Sequence, residues 1–157
     1  MKYEIYIFEE AKTASFYKKA IEEYEKRLSR YCKISCRFVK KEKEWEKLLI
    51  EAQDTGNVCL VLPGRDSVTS EMFSRTIGQW EMSGQGKKQF FISATRLSET
   101  IKSKTEDEKM EENKIRTGKT EILNLSDFTM NAAMTAMILY EQIYRGYRIL
   151  NNHPYHK

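Results

Sequence analysis

Proline, glycine and long apolar runs are all scarce in this sequence. The 157 residues include two prolines and seven glycines, too few for extended linkers or low-complexity tracts. The longest uncharged stretch near the C-terminus, residues 128–140, is shorter than the roughly 20 apolar residues that a helix needs to cross a bilayer. The first residues, MKYEIYIFEE, alternate apolar and polar instead of forming the apolar segment of a signal peptide. We therefore expect one cytoplasmic domain, residues 1–157, with no membrane segment.

Cysteine and histidine are too few and too poorly placed for several classes of site. Three cysteines, an odd number, argue against a disulfide framework. Cys32 and Cys36 could begin a metal site, but no further cysteine and no nearby histidine completes four ligands, so we interpret them as core residues and expect no metal. Both histidines, His153 and His156, lie in the last five residues, and no pattern indicates a hydrolase triad. P-loop, GxGxxG, HExxH and GxSxG motifs are absent from the sequence.

Positive charge is modest overall but collects at the C-terminal end. The net charge of +4 says little about nucleic acid by itself. From residue 145 onward there is no acidic residue, and the two histidines follow Arg145, Tyr147 and Arg148. Cationic and aromatic groups interleaved in this way suit RNA phosphates and splayed bases. A frayed, merely solubilising end is the alternative interpretation.

Apolar periodicity alternates between the strand and helix types along the chain. Alternating apolar and polar residues predict strands at 3–8 and 34–39, and more apolar segments predict strands at 57–62, 88–94 and 120–125. Amphipathic stretches predict helices at 16–31 (capped by Thr13 or Ser15), 45–52, 72–80, 99–112 and from a cap at Ser126 or Asp127 to about 150. Strands alternating with helices predict an α/β fold, a mostly parallel sheet with helices on both faces.

A parallel sheet of this kind binds ligands beyond the carboxyl ends of its strands. Those ends are residues 62–65, 93–97 and 125–130, so a site is expected there.

The final helix also carries more apolar surface than one core can use, from Phe128 through Leu139. A helix that is apolar all round is buried all round, which favours a two-fold homodimer over a position deep under the polar helix.

Three segments resemble one family. The ending LYEQIYRGYRILNNHPYHK (139–157) closely resembles the C-terminal signature of SPOUT RNA methyltransferases of the RlmH type. KKAIEEYEKRLSRY (18–31) is similar to that family's first helix, and PGRDSVTSEMF (63–73) resembles its third-strand turn and following helix. The resemblance spans nearly the whole chain.

The resemblance implies methylation of N3 of a pseudouridine in large-subunit ribosomal RNA by S-adenosylmethionine. It also implies a C-terminal trefoil knot and a homodimer in which each cofactor pocket lies near the partner's C-terminal tail. His156 is then the candidate base and Tyr155 shapes the pocket, while ribosomal RNA or the ribosome is bound by Arg145, Arg148, His153 and Lys157. The cofactor is expected against Leu62, Ser93, Leu125, Ser126, Asp127, Phe128, Thr129 and Met130.

The sequence departs from this family at two turns and at the start of the last helix. Where the family has a Gly-Gly-x-x-Gly turn, which permits positive φ and close backbone approach, residues 93–97 read SATRL. Its Pro-His pair and helical arginine correspond to Asn131, Ala132 and Ala136, and its first glycine turn to Glu-Glu-Ala at 9–11. A non-catalytic RNA- or ribosome-binding homologue without cofactor is therefore the alternative function. A flavodoxin-like nucleotide binder has only the parallel sheet in its favour.

Overall fold

The computed structural model describes residues 1–10, 12–65, 68–93 and 120–153. Their elements, in chain order, are β1 (Lys2–Phe8), α1 (Ser15–Leu28), β2 (Lys33–Val39), α2 (Glu42–Gln53), β3 (Val58–Leu62), α3 (Ser70–Met82), β4 (Lys87–Ser93), β5 (Thr120–Asn124) and α4 (Ala132–Leu150). The alternation of strands and helices confirms the predicted α/β class. The helix predicted at 99–112 lies outside the described residues.

The five strands form one sheet in the order β2-β1-β4-β3-β5, and every neighbouring pair is parallel. Phe8 at the end of β1 is in register with Ser93 at the end of β4, and Leu62 at the end of β3 with Asn124 at the end of β5. The carboxyl ends of β3, β4 and β5 therefore meet at one edge. The predicted knot depends on the path of residues 94–119, which are outside the described ranges, and stays a prediction.

Helices cover both faces of the sheet, as predicted. Side chains of α1, α3 and α4 pack with Tyr3, Ile5 and Ile7 of β1 in the larger core. The smaller core lies on the other face, where Trp45 and Leu49 of α2 pack against β1, β3 and β4. Strand β3 is apolar on both faces, with Cys59 and Val61 in the larger core and Val58 and Leu60 in the smaller one, because both faces are covered.

The predicted N-caps of the first and last helices are wrong. The last helix begins at Ala132, and its N-cap is Asn131, whose side chain accepts the Met134 N–H at 2.8 Å. Ser126 does not cap it, because its hydroxyl oxygen accepts the N–H of Phe128 at 3.0 Å within a loop. Phe128 therefore lies on this loop and not on the helix. Helix α1 follows Ala14 with no side-chain cap, so neither Thr13 nor Ser15 plays that role.

Helices α3 and α4 approach closely at Gly146. The Ser74 hydroxyl donates to the Gly146 carbonyl at 3.0 Å, and a Cβ at Gly146 would lie 2.6 Å from the buried Ile77 Cδ1. Nearer the N-terminus of α4, the helix has partly exposed apolar side chains, since Met134, Met137 and Ile138 are only partly buried. Among the described helices, none combines the length and apolar character needed to cross a membrane.

Candidate functional site

A crevice opens where β3, β4 and β5 end. It holds about 330 Å³ of empty space when the open solvent at its mouth is included. This is the edge at which a parallel sheet is expected to bind a ligand. The lining residues are Val61, Leu62, Pro63, Ser93, Leu125, Ser126, Phe128, Thr129, Met130 and Thr135.

All but one of the residues predicted to bind the cofactor line this crevice. The exception is Asp127, which is exposed and is not among the lining residues. The structure thus brings the predicted set together at one place, and their contact with a cofactor stays a prediction. The lining holds hydroxyls and apolar groups but no ionisable side chain from the described part of the chain. A proton acceptor at this site would have to come from another segment.

Two loops form one wall of the crevice. The Gly64 N–H, after β3, donates to the Ser126 carbonyl, after β5, at 3.1 Å. A Cβ at Gly64 would lie 2.8–2.9 Å from the side-chain atoms of Asn124. Only glycine allows the loops this approach without displacing Asn124. Sequence reasoning missed the role of Gly64, although the Pro-Gly pair after a strand was a usable signal.

The start of α4 contributes Thr135 to the crevice lining and is held from two sides. The Glu9 carboxylate accepts the Ala133 N–H at 3.1 Å, and the Asn131 amide donates to the Tyr17 hydroxyl at 3.2 Å. A carboxylate at a helix N-terminus is favoured by the helix dipole. Glu9 belongs to the turn that departs from the family pattern, so the acidic residue there has a structural use that sequence reasoning missed.

The predicted RNA-binding residues lie at the other end of α4. A helix rises about 1.5 Å per residue, which separates Arg148 from the crevice end by roughly 25 Å. Arg145 pairs with Glu141 at 3.0 Å, and the Arg148 guanidinium lies 6.0 Å from the Tyr144 ring centre. One chain therefore does not bring its Arg145, Arg148 and His153 to its own crevice. Tyr155, His156 and Lys157 lie outside the described residues.

Tyr147 is not the surface aromatic that the sequence suggested. Its side chain is buried, and its hydroxyl donates to Glu81 at 2.7 Å and contacts the Tyr3 hydroxyl at 3.2 Å. Burial raises the pKa of Tyr147 above its usual range. The ring is a core element that cannot stack on an RNA base.

The cysteines occupy core positions, in line with their interpretation. Cys32 is buried in the larger core, Cys36 packs against it, and both are free thiols. Burial raises the pKa of Cys32 to about 12 and that of Cys36 to about 11, so both stay protonated near neutral pH. The described residues contain no group of three potential metal ligands.

Comparison with known proteins identifies the class to which this fold and crevice belong. The family described as "Predicted SPOUT methyltransferase" matches residues 1–156, so the chain belongs to the SPOUT methyltransferase family. The chain is 32% identical over 157 residues, covering 100% of both proteins, to "Ribosomal RNA large subunit methyltransferase H 1" of Thermoanaerobacter sp. (strain X514). It is 33% identical over 160 residues to "Ribosomal RNA large subunit methyltransferase H" of Clostridium botulinum (strain Kyoto / Type A2), covering 90% of this chain and 91% of the relative. The resemblance stated from the sequence is confirmed.

Proposed function

We propose that this protein transfers a methyl group from S-adenosylmethionine to large-subunit ribosomal RNA, at N3 of a pseudouridine. The crevice at the ends of β3, β4 and β5 carries the proposal, because it gathers the residues that family resemblance assigns to the methyl donor. The whole-length similarity to proteins named as large-subunit ribosomal RNA methyltransferases supports the substrate. Such a substrate would place the protein in the cytoplasm.

The crevice residues fit the methyl donor in chemical character. Leu62, Leu125 and Met130 offer apolar surface for an adenine ring, and Ser126 and Thr129 offer hydroxyl and backbone groups for polar atoms. The donor supplies an electrophilic methyl group on a positively charged sulfur. Methyl transfer is an in-line displacement, so the chain's main contribution is to orient the two reactants.

The acceptor nitrogen must lose a proton during the reaction, and the described crevice residues supply no ionisable group for that step. His156 is our candidate for the base, with Tyr155 shaping the pocket around it. Arg145, Arg148, His153 and Lys157 are the proposed contacts to RNA phosphates. These roles place the acid–base chemistry in the C-terminal tail and the methyl donor in the crevice.

In a homodimer, the crevice of one chain and the C-terminal tail of the other would form one site. The tail, residues 155–157, follows α4 in the sequence, and α4 ends roughly 25 Å from its own crevice. A partner related by a two-fold axis, with its α4 running in the opposite direction, would bring its tail to this crevice. The partly exposed Met134, Met137 and Ile138 offer apolar surface on α4 for such a contact. A stable interface should bury more than about 1,000 Å² in total.

The direct test is a methylation assay with the labelled donor and ribosomes that lack the modification. We expect label in a single pseudouridine of the large-subunit RNA, and no incorporation by wild-type protein would contradict the proposal. The alternative, a non-catalytic homologue, predicts ribosome or RNA binding without incorporation. The relatives described above are named as methyltransferases and give that alternative no support.

A further inference from the structure

The last helix ends in a turn that fixes where the chain goes next. Asn152 has a φ of 52°, in the left-handed region. Its N–H donates to the Ile149 carbonyl at 3.0 Å, and the N–H of His153 donates to the Arg148 carbonyl at 2.9 Å. These two bonds define a Schellman motif, in which one left-handed residue reverses the chain. Asparagine tolerates this conformation better than most residues that carry a side chain.

A side-chain contact then holds the residue that follows the turn. The hydroxyl of Tyr31, just beyond the end of α1, lies 3.2 Å from Nδ1 of His153. The Tyr31 ring stacks on Tyr147, with centroids 5.3 Å apart and planes 12° apart. Tyr147 is itself fixed in the core by its bond to Glu81. Although His153 is exposed, its ring therefore contacts Tyr31, a core-packed residue 122 residues away in sequence.

We propose that Tyr31 and Asn152 are positioning residues that aim the C-terminal tail. The inference rests on the proposed function, in which Tyr155 and His156 act in the crevice of a second copy. The turn at Asn152 sets the direction of the chain, and the contact between Tyr31 and His153 holds it only a few residues before the reacting groups. Orientation of a catalytic group supplies a large part of a reaction rate. Loss of the contact between Tyr31 and His153 should therefore lower the rate at which bound substrate reacts.

The first test removes one hydroxyl. Tyr31→Phe keeps the ring that stacks on Tyr147 but loses the contact to His153. We expect kcat to fall about tenfold, with KM for S-adenosylmethionine, dimer mass and thermal stability unchanged, because the crevice is remote from the substitution. A purely structural role would instead lower stability and leave kcat per folded enzyme intact.

The second test changes the turn. Asn152→Gly preserves the left-handed conformation and should keep wild-type kcat, whereas Asn152→Val disfavours it and should lower kcat as Tyr31→Phe does. Full kcat in both Tyr31→Phe and Asn152→Val would overturn the inference.

Nuclear magnetic resonance gives a readout that does not need activity. The chain has two histidines, so His156→Ala leaves His153 as the only imidazole. Its Nδ1 resonance should shift when Tyr31→Phe is added. Tyr6→Phe, which removes a hydroxyl bonded to Glu4, is the control and should leave the resonance in place. An unchanged Nδ1 resonance in the Tyr31→Phe protein would contradict the contact between Tyr31 and His153.

Deletion of residues 155–157 distinguishes a failure of the proposed catalytic role of the tail from a failure of the positioning role of Tyr31 and Asn152. If the deletion leaves methylation intact, the tail has no catalytic role, and both the proposed role and the inference fail. If the deletion abolishes methylation while Tyr31→Phe and Asn152→Val retain full kcat, the inference alone fails.

Discussion

At the scale of single residues, Glu4 is a carboxylate whose ionised form the folded state stabilises. Its carboxylate lies 2.6 Å from Nζ of Lys2 and 2.8 Å from Nζ of Lys87, and it accepts the Tyr6 hydroxyl at 3.0 Å. Burial raises the pKa of this carboxyl, but the hydrogen bonds from Lys2, Lys87 and Tyr6 outweigh it and bring the pKa down to about 2. An unfolded glutamate has a pKa of about 4.3, so its ionised form favours the folded state.

Glu4→Gln should therefore reduce the free energy of unfolding at neutral pH by about 1 kcal/mol, a modest value because both lysines are half-exposed. The contribution is complete above a pH of about 4.5 and is lost as the pH falls towards 2. Urea unfolding of both proteins at pH 7, 4 and 3 measures the difference. A gap of constant size at all three values would show that the carboxylate is not its cause.

The role of a residue could be predicted where it depends on the residue's place at a strand end. It could not be predicted where it depends on contacts that form only in the folded chain. The strand ends gave most of the crevice residues, because the carboxyl ends of parallel strands share one edge. Glu9 and Tyr17 were missed since they hold α4 from distant points of the chain, with no local pattern. Tyr147 was misjudged because its neighbours Arg145 and Arg148 suggested a surface that this ring does not share.

Another residue-scale prediction concerns Gly64, which brings two crevice loops together. Gly64→Ala places a methyl group 2.8–2.9 Å from the Asn124 side chain and should widen the gap between the loops. We expect S-adenosylmethionine to bind about fivefold more weakly, equivalent to about 1 kcal/mol of strain. Gly86→Ala is a matched control, since a Cβ there meets nothing within 4 Å. Equal affinity in the Gly64 and Gly86 variants would show that the close approach does not shape the site.

At the scale of elements, strands were easier to predict than helix starts. Strand β3 is a continuous apolar run, and β1 and β2 alternate apolar with polar residues, so both kinds of strand are visible in the sequence. Ser126, Asp127 and Asn131 are all good N-cap residues, and only the tertiary structure decides that Asn131 takes this role. The segment between β5 and α4 is a crevice loop as a result, which moves Phe128 from a helix face to an exposed position.

The contact between α3 and α4 gives a prediction about stability. Gly146→Ala adds a Cβ 2.6 Å from Ile77 Cδ1 and should cost about 1–3 kcal/mol, because Ile77 is fully buried and both helices are fixed by the sheet. Thermal unfolding against Gly86→Ala measures the effect. If both alanines leave the melting temperature unchanged, the helices are less tightly packed at this point than the structure indicates.

At the scale of the whole molecule, the separation of the crevice from the C-terminal end of α4 in one chain predicts a shared site between two chains. We expect a mass in solution of twice the chain mass of 18.6 kDa by light scattering. Two defective chains should also complement each other. A chain with a bulky Gly64→Trp substitution and a chain that lacks residues 155–157 should each be inactive alone, yet regain activity when refolded together. An inactive mixture in which mixed dimers are present would refute the shared site.

We propose that the crevice still binds the methyl donor although the family's glycine turn, Pro-His pair and helical arginine are replaced here. Calorimetric titration of the wild-type protein with S-adenosylmethionine measures this binding. Our account predicts saturable binding with one site per chain, weakened by Gly64→Ala and unaffected by Gly86→Ala. Absence of saturable binding at concentrations up to about 1 mM, where even an affinity of about −4 kcal/mol would be visible, would contradict it.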